Sequence, residues 1–136
     1  MATRGRIGIE LSDGSILSSY HHWDSYPEWL GRILNTQYKT REQAAELIDG
    51  GDMSSCWADE IWGKKLPQGE YAPEYYSARG EDCPPRYDET KEKFLSNGEE
   101  YSYIFRDGEW LCYNMHEFDD SKLPEIVEIP SGALAV

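Results

Sequence analysis

The chain has no apolar run near the ~18 residues of a bilayer-spanning helix, and its start, MATRGRIGIE, shows no apolar h-region, which predicts no secretory leader. Cysteines are few and odd in number. Cys56, Cys83 and Cys112 lie far apart with no CxxC pair, so the sequence predicts neither a disulfide framework nor a zinc knuckle. A reducing cytoplasm is the expected setting. Basic residues are also scarce: 13 Lys and Arg stand against 26 Asp and Glu, a formal charge of −13. Such a field repels a phosphate backbone, which disfavours direct nucleic-acid binding and favours a basic protein partner. No GxxxxGK[ST] loop, GxGxxG fingerprint or GxSxG elbow occurs. A solenoid-type repeat is missing too.

Aromatics, by contrast, are plentiful. Five tryptophans and ten tyrosines in 136 residues, 39% of them hydrophobic, predict one domain with a real core. The charge is uneven: residues 1–50 hold seven acids and five bases, residues 51–136 nineteen and eight.

In RIGIELSDGSILSSYHH, Asp13-Gly14 is the dipeptide of a two-residue hairpin turn. That turn pairs Leu11 with Ile16, Ile9 with Ser18 and Ile7 with Tyr20, all on one face. In SYPE, Ser25 and Glu28 have capping-box spacing and Pro27 suits a first helical turn. Asp24 or Ser25 is the expected cap. Tyr26, Trp29, Leu30, Ile33, Leu34 and Tyr38 then follow a helical period over residues 26–38. Thr40 and Gln43 repeat the capping pattern before a second helix over 41–49, which Gly50-Gly51 ends.

Residues 55–90 read as an irregular, aromatic-rich connection with one short strand around Tyr75–Ala78, followed by a short helix from Asp88 that ends at Asn97-Gly98. A second hairpin turns at Asp107-Gly108, setting Arg106 opposite Glu109 and Phe105 opposite Trp110. Apolar residues on both its faces predict a central position. PEIVEI adds an edge strand. The fold class is α+β: an antiparallel sheet of DG-turn hairpins, with two or three short helices on one face.

YHHWDSYPEWLG concentrates the candidate chemistry. His21, His22 and Asp24, with His116, Glu117, Asp119 or Asp120, have the donor types for zinc, manganese or iron and for activating water. Adjacent strand residues diverge, however, and HHWD lacks the one-face geometry of HExxH. No cofactor is therefore predicted. His21, His22, Trp23, Asp24 and Tyr26 read first as a structural junction and a binding rim. As catalytic or metal residues, His21, His22 and Asp24 belong to an alternative reading, a small metal-dependent hydrolase or nuclease.

RGRIGIELSDGSILSSYHHWDSYPEWLG, followed by LIDGGDMSS and later YSYIFRDGEWLCY, resembles a group of small bacteriophage proteins, cyanophage proteins included, that carry an HWDGYP-like segment. His22, Trp23, Asp24, Tyr26 and Pro27 match it, and Ser25 stands where glycine is usual. The resemblance implies a phage accessory protein acting in the cytoplasm of the infected host cell, and no transferable activity. With the acidic, aromatic composition it suggests a non-enzymatic protein that binds a host or phage protein; mimicry of nucleic acid is one subclass.

Overall fold

Alternating apolar residues in GRIGIE and ILSSYH form the first two strands, β1 (Gly5–Glu10) and β2 (Ile16–His21), an antiparallel pair. The computed structural model describes residues 3–61, 63–67, 70–115 and 124–131. The turn between the strands is one residue longer than the sequence suggests. The Leu11 carbonyl accepts from Gly14 N–H at 2.9 Å, and Leu11 N–H donates to the Ser15 carbonyl at 2.8 Å. Only Gly14, at φ +86°, takes the left-handed conformation, as in a three-residue loop with a glycine bulge. Asp13 keeps a negative φ, and its carboxylate accepts from both Ser15 N–H and Ser15 Oγ.

The register therefore shifts by one. Ile9 faces Leu17, Ile7 faces Ser19, and Ile16 pairs with Glu10 rather than Leu11. A one-residue slip moves a whole strand's side chains to the opposite faces. Ile16, Ser18 and Tyr20 thus leave the face of Ile7 and Ile9, and Leu17, Ser19 and His21 take it.

After β2, Pro27–Gly31 winds as a short π-helical turn into α1 (Arg32–Gln37). Neither Asp24 nor Ser25 caps it: Tyr26 occupies the cap position without a side-chain bond. The second helix, α2 (Arg41–Asp49), has the expected reciprocal capping box of Thr40 and Gln43. Its Ala44, Leu47 and Ile48 are buried.

Residues 55–90 carry more regular structure than their composition suggests. β3 (Met53–Ala58) runs into a small ribbon, β4 (Glu60–Ile61) with β5 (Lys64–Lys65). Next come β6 (Ala72–Tyr75), a 3₁₀ turn at Tyr76–Arg79 and β7 (Arg86–Asp88). The strand expected over 75–78 lies three residues earlier. A short α3 (Lys91–Phe94) is capped by Thr90.

β8 (Tyr101–Arg106) and β9 (Glu109–Asn114) form the second hairpin in the expected register, with Asp107 and Gly108 both left-handed. Arg106 makes its charge contacts with Glu10, 3.5 Å away on β1, and with Asp107 at 3.6 Å, rather than with the expected Glu109. β10 (Glu125–Val127) closes the edge.

One eight-stranded sheet results, in the order β10-β9-β8-β1-β2-β3-β6, with β7 also on β2. It is mixed rather than antiparallel. β8 lies parallel to β1 along five residue pairs, and β3 meets β2 in parallel at His21 and Met53. The second hairpin docks as a unit on the free edge of the first, a tertiary choice that no hairpin sequence encodes.

The helices occupy both faces. Leu30, Ile33, Leu34, Leu47 and Ile48 pack with Ile7, Ile9, Tyr103 and Phe105 on one side. Phe94 and Leu95 pack with Ile16, Ile104 and Tyr113 on the other. The apolar residues on both faces of β8 are thus buried between two layers. Among the described residues no helix is long and apolar enough to cross a membrane.

Candidate functional site: an acidic, aromatic cleft beside β2

The register shift decides the histidines. His21 points into the helix-side core and is 0% exposed. Cys56 N–H donates to its Nε2 at 3.2 Å, so Nε2 is an acceptor and the ring proton sits on Nδ1. Nδ1 lies 2.9 Å from Ser25 Oγ, which itself donates to the His21 carbonyl at 3.2 Å. The imidazole donates to the serine, the reverse of what a general base needs to activate a nucleophile. Burial, and the second imidazole of His22, lower the His21 pKa to about 3.

Ser25 is buried as well. Its N–H donates to the Thr3 carbonyl at 2.9 Å, and its carbonyl accepts from Tyr103 O–H at 2.7 Å. A side chain so engaged is not free to cap the following turn.

His22 points away from the core. Its Nδ1 is 2.6 Å from Tyr20 O–H, and its ring meets Trp23 edge-on at 4.8 Å. His21, His22 and Asp24 therefore do not converge, and both ring nitrogens of His21 are occupied. Among the described residues no three His, Cys, Asp or Glu side chains form a metal-ligand set. His116, Glu117, Asp119 and Asp120 lie outside the described residues. Cys112, paired with Tyr103 across β8 and β9 inside the core, has its thiol pushed up to about 12 by burial and is no reactive thiolate.

Trp23 and Asp24 instead open one end of a cleft of about 600 Å³. Trp23 is 45% exposed, and its backbone N–H donates to the Ser54 carbonyl at 3.0 Å, tying the β2 end to β3. Asp24 sits at φ +51°, a conformation that short polar side chains tolerate best. The far wall is Trp57 on β3 and Trp29 from the π turn, packed edge to face at 5.7 Å and 79°. Tyr71 closes the side beside β6. Tyr26, the remaining residue of the predicted binding rim, is half-buried and does not line the cleft.

Carboxylates share the lining of the cleft with these aromatics. Asp24, Asp59, Glu60 and Glu74 line it, and no described Lys or Arg does. Glu60 faces Lys65 across the ribbon. Asp24, Asp59 and Glu74 have no ion-pair partner among the described residues. Ser54 Oγ lies 3.3 Å from both the Glu74 carbonyl and Glu74 Oε2, so its one proton is shared between the two acceptors. Two indole N–H groups in the wall, of Trp29 and Trp57, are buried without a described acceptor. Such a donor costs about 1–3 kcal/mol.

Of the predicted rim, Trp23 and Asp24 line the cleft; Trp29, Trp57, Asp59, Tyr71 and Glu74 line it with them, and the sequence does not single these out. Acids beside aromatics over residues 57–74 were the available signal. Irregular register between β3 and β6 concealed that they meet.

Fold and cleft together define a small mixed α/β domain with an open recess of tryptophans and carboxylates. In comparison with known proteins, no family model matches the chain, no curated protein matches it and no solved structure matches it.

Proposed function

We propose that the protein is a non-enzymatic binding module that engages a basic surface of a partner protein through this cleft. One observation carries the reading: three tryptophans and three carboxylates without an ion-pair partner among the described residues meet in a single concave site that no described Lys or Arg lines. Aromatic anchors inside a recess are the usual energetic centre of a protein interface, and surrounding charge sets partner choice and encounter rate. The phage-like sequence features support an accessory role in the infected host's cytoplasm, with a host or phage protein as partner.

Capture from infected-host lysate on immobilised protein tests this, with a Trp23→Ala, Asp59→Asn, Glu74→Gln triple variant in parallel. The expected result is a basic protein retained by the parent chain and depleted at least ~10-fold by the variant. Equal retention by both proteins would place the partner on another surface.

A further inference from the structure

We infer that the group received by the cleft is an arginine guanidinium from the partner; this inference rests on the binding reading above. The cleft combines two demands that one cation must meet together. Its walls include three indoles: Trp23 is exposed and meets the His22 ring nearly perpendicularly, and Trp29 and Trp57 form a near-perpendicular corner. Its lining also presents carboxylates, Asp24, Asp59 and Glu74, without described ion-pair partners.

A guanidinium is planar and weakly hydrated, and its N–H donors radiate in the plane of the group. It can lie against an indole while its edge reaches a carboxylate. A lysine ammonium is a strongly hydrated point charge, which an aromatic wall desolvates without offering it a planar match. The cleft's ~600 Å³ lies within the ~300–1,000 Å³ of small-ligand sites. It suits a single long side chain better than a whole helix or strand. Glu74 Oε2, 3.3 Å from Ser54 Oγ, stays within reach of β3 and offers one acceptor beside the indoles.

Three of the five tryptophans line the cleft, so intrinsic fluorescence reports occupancy. The full chain is titrated at low salt with capped Gly-X-Gly peptides in which X is arginine, lysine or citrulline, the neutral isostere of arginine. The arginine peptide should give a saturable change with a Kd of about 1 mM or tighter. Citrulline should bind at least ~10-fold more weakly and lysine several-fold more weakly. Trp23→Ala and Glu74→Gln change exposed residues, so their unfolding midpoints should stay put while each weakens arginine binding by about 3- to 10-fold. Arginine binding no tighter than citrulline or lysine would overturn the inference, as would no saturation by about 10 mM. Equal lysine and arginine binding that still depends on Trp23 and Glu74 would leave the basic-partner reading standing and remove only the guanidinium. If no peptide binds and the triple variant also captures partners unchanged, both fail.

Discussion

His21 sits where a charged imidazole would have no water and a second imidazole beside it. The sign of the resulting pH dependence follows directly. In the unfolded chain a histidine titrates near 6.5, and in the folded protein His21 titrates at about 3. Between those values the unfolded state holds one more proton, so acid favours unfolding. Stability from this residue is complete above about pH 6.5 and falls by ~1.4 kcal/mol per pH unit below it, until the folded value is reached. From pH 7 to pH 5 the loss is about 2 kcal/mol from His21 alone. Urea unfolding across that range measures the sum over all groups, and NMR of the ring isolates this one. His21 should keep neutral-imidazole shifts at pH 5. A ring that titrates near 6.5 in the folded protein would contradict the buried network with Ser25 and Cys56.

Two helix starts share a capping pattern, and only one uses it. Thr40-x-x-Gln43 forms the reciprocal box because Thr40 is exposed and has no competing partner among the described residues. Ser25-x-x-Glu28 does not, because the Ser25 hydroxyl is bound to His21. Thr40→Ala should accordingly cost about 1 kcal/mol in denaturant unfolding. Ser25→Ala should show a different signature: loss of the His21 contact, read as a shift of that ring's NMR signal. The two DG turns differ in the same local way. Asp107-Gly108 is left-handed at both residues, whereas the bonds from Ser15 hold Asp13 at negative φ and leave Gly14 alone left-handed. Open space surrounds both Gly14 and Gly108. Alanine at either position should therefore cost only the backbone term, roughly 1–2 kcal/mol, checked by chemical denaturation. Gly50 is a contrasting case, since an added Cβ there would run into the Tyr75 ring. Gly50→Ala should be the more damaging change.

Across the whole molecule, the two hairpins are held as one sheet by β1 against β8, and the helix layer covers their joint face. Leu34 is fully buried in that layer. Leu34→Ala should cost about 2–5 kcal/mol in equilibrium unfolding; a loss of a few tenths would remove it from the core. Net charge acts at the same scale. A charge of −13 on one small domain repels itself, and added salt screens that repulsion over about 8–10 Å. The melting temperature should therefore rise between low and moderate salt while affinity for a basic peptide falls. Opposite salt trends for stability and binding are the measurable sign that one charge distribution affects both.

Local chemistry in the sequence determined much of this protein. The second hairpin's register, the Thr40 capping box, the α2 apolar stripe, the short helix before Asn97-Gly98 and the edge strand at PEIVEI all follow from residues within a few positions of one another. Their governing interactions are short in range, so periodicity and turn chemistry suffice. Tertiary structure alone decided the rest. The three-residue loop at Ser12-Asp13-Gly14 is held locally by Ser15, but only the helices packed on the sheet decide that the β2 face carrying His21, not His22, lies in the core. Parallel docking of β8 on β1 turned an expected antiparallel sheet into a mixed one, because a free strand edge accepts either direction and packing on both faces chooses. The cleft depends on residues from Trp23 to Glu74, brought together by strands of irregular register. No local pattern signals such a meeting, since its physical cause is burial and pairing between segments distant in sequence.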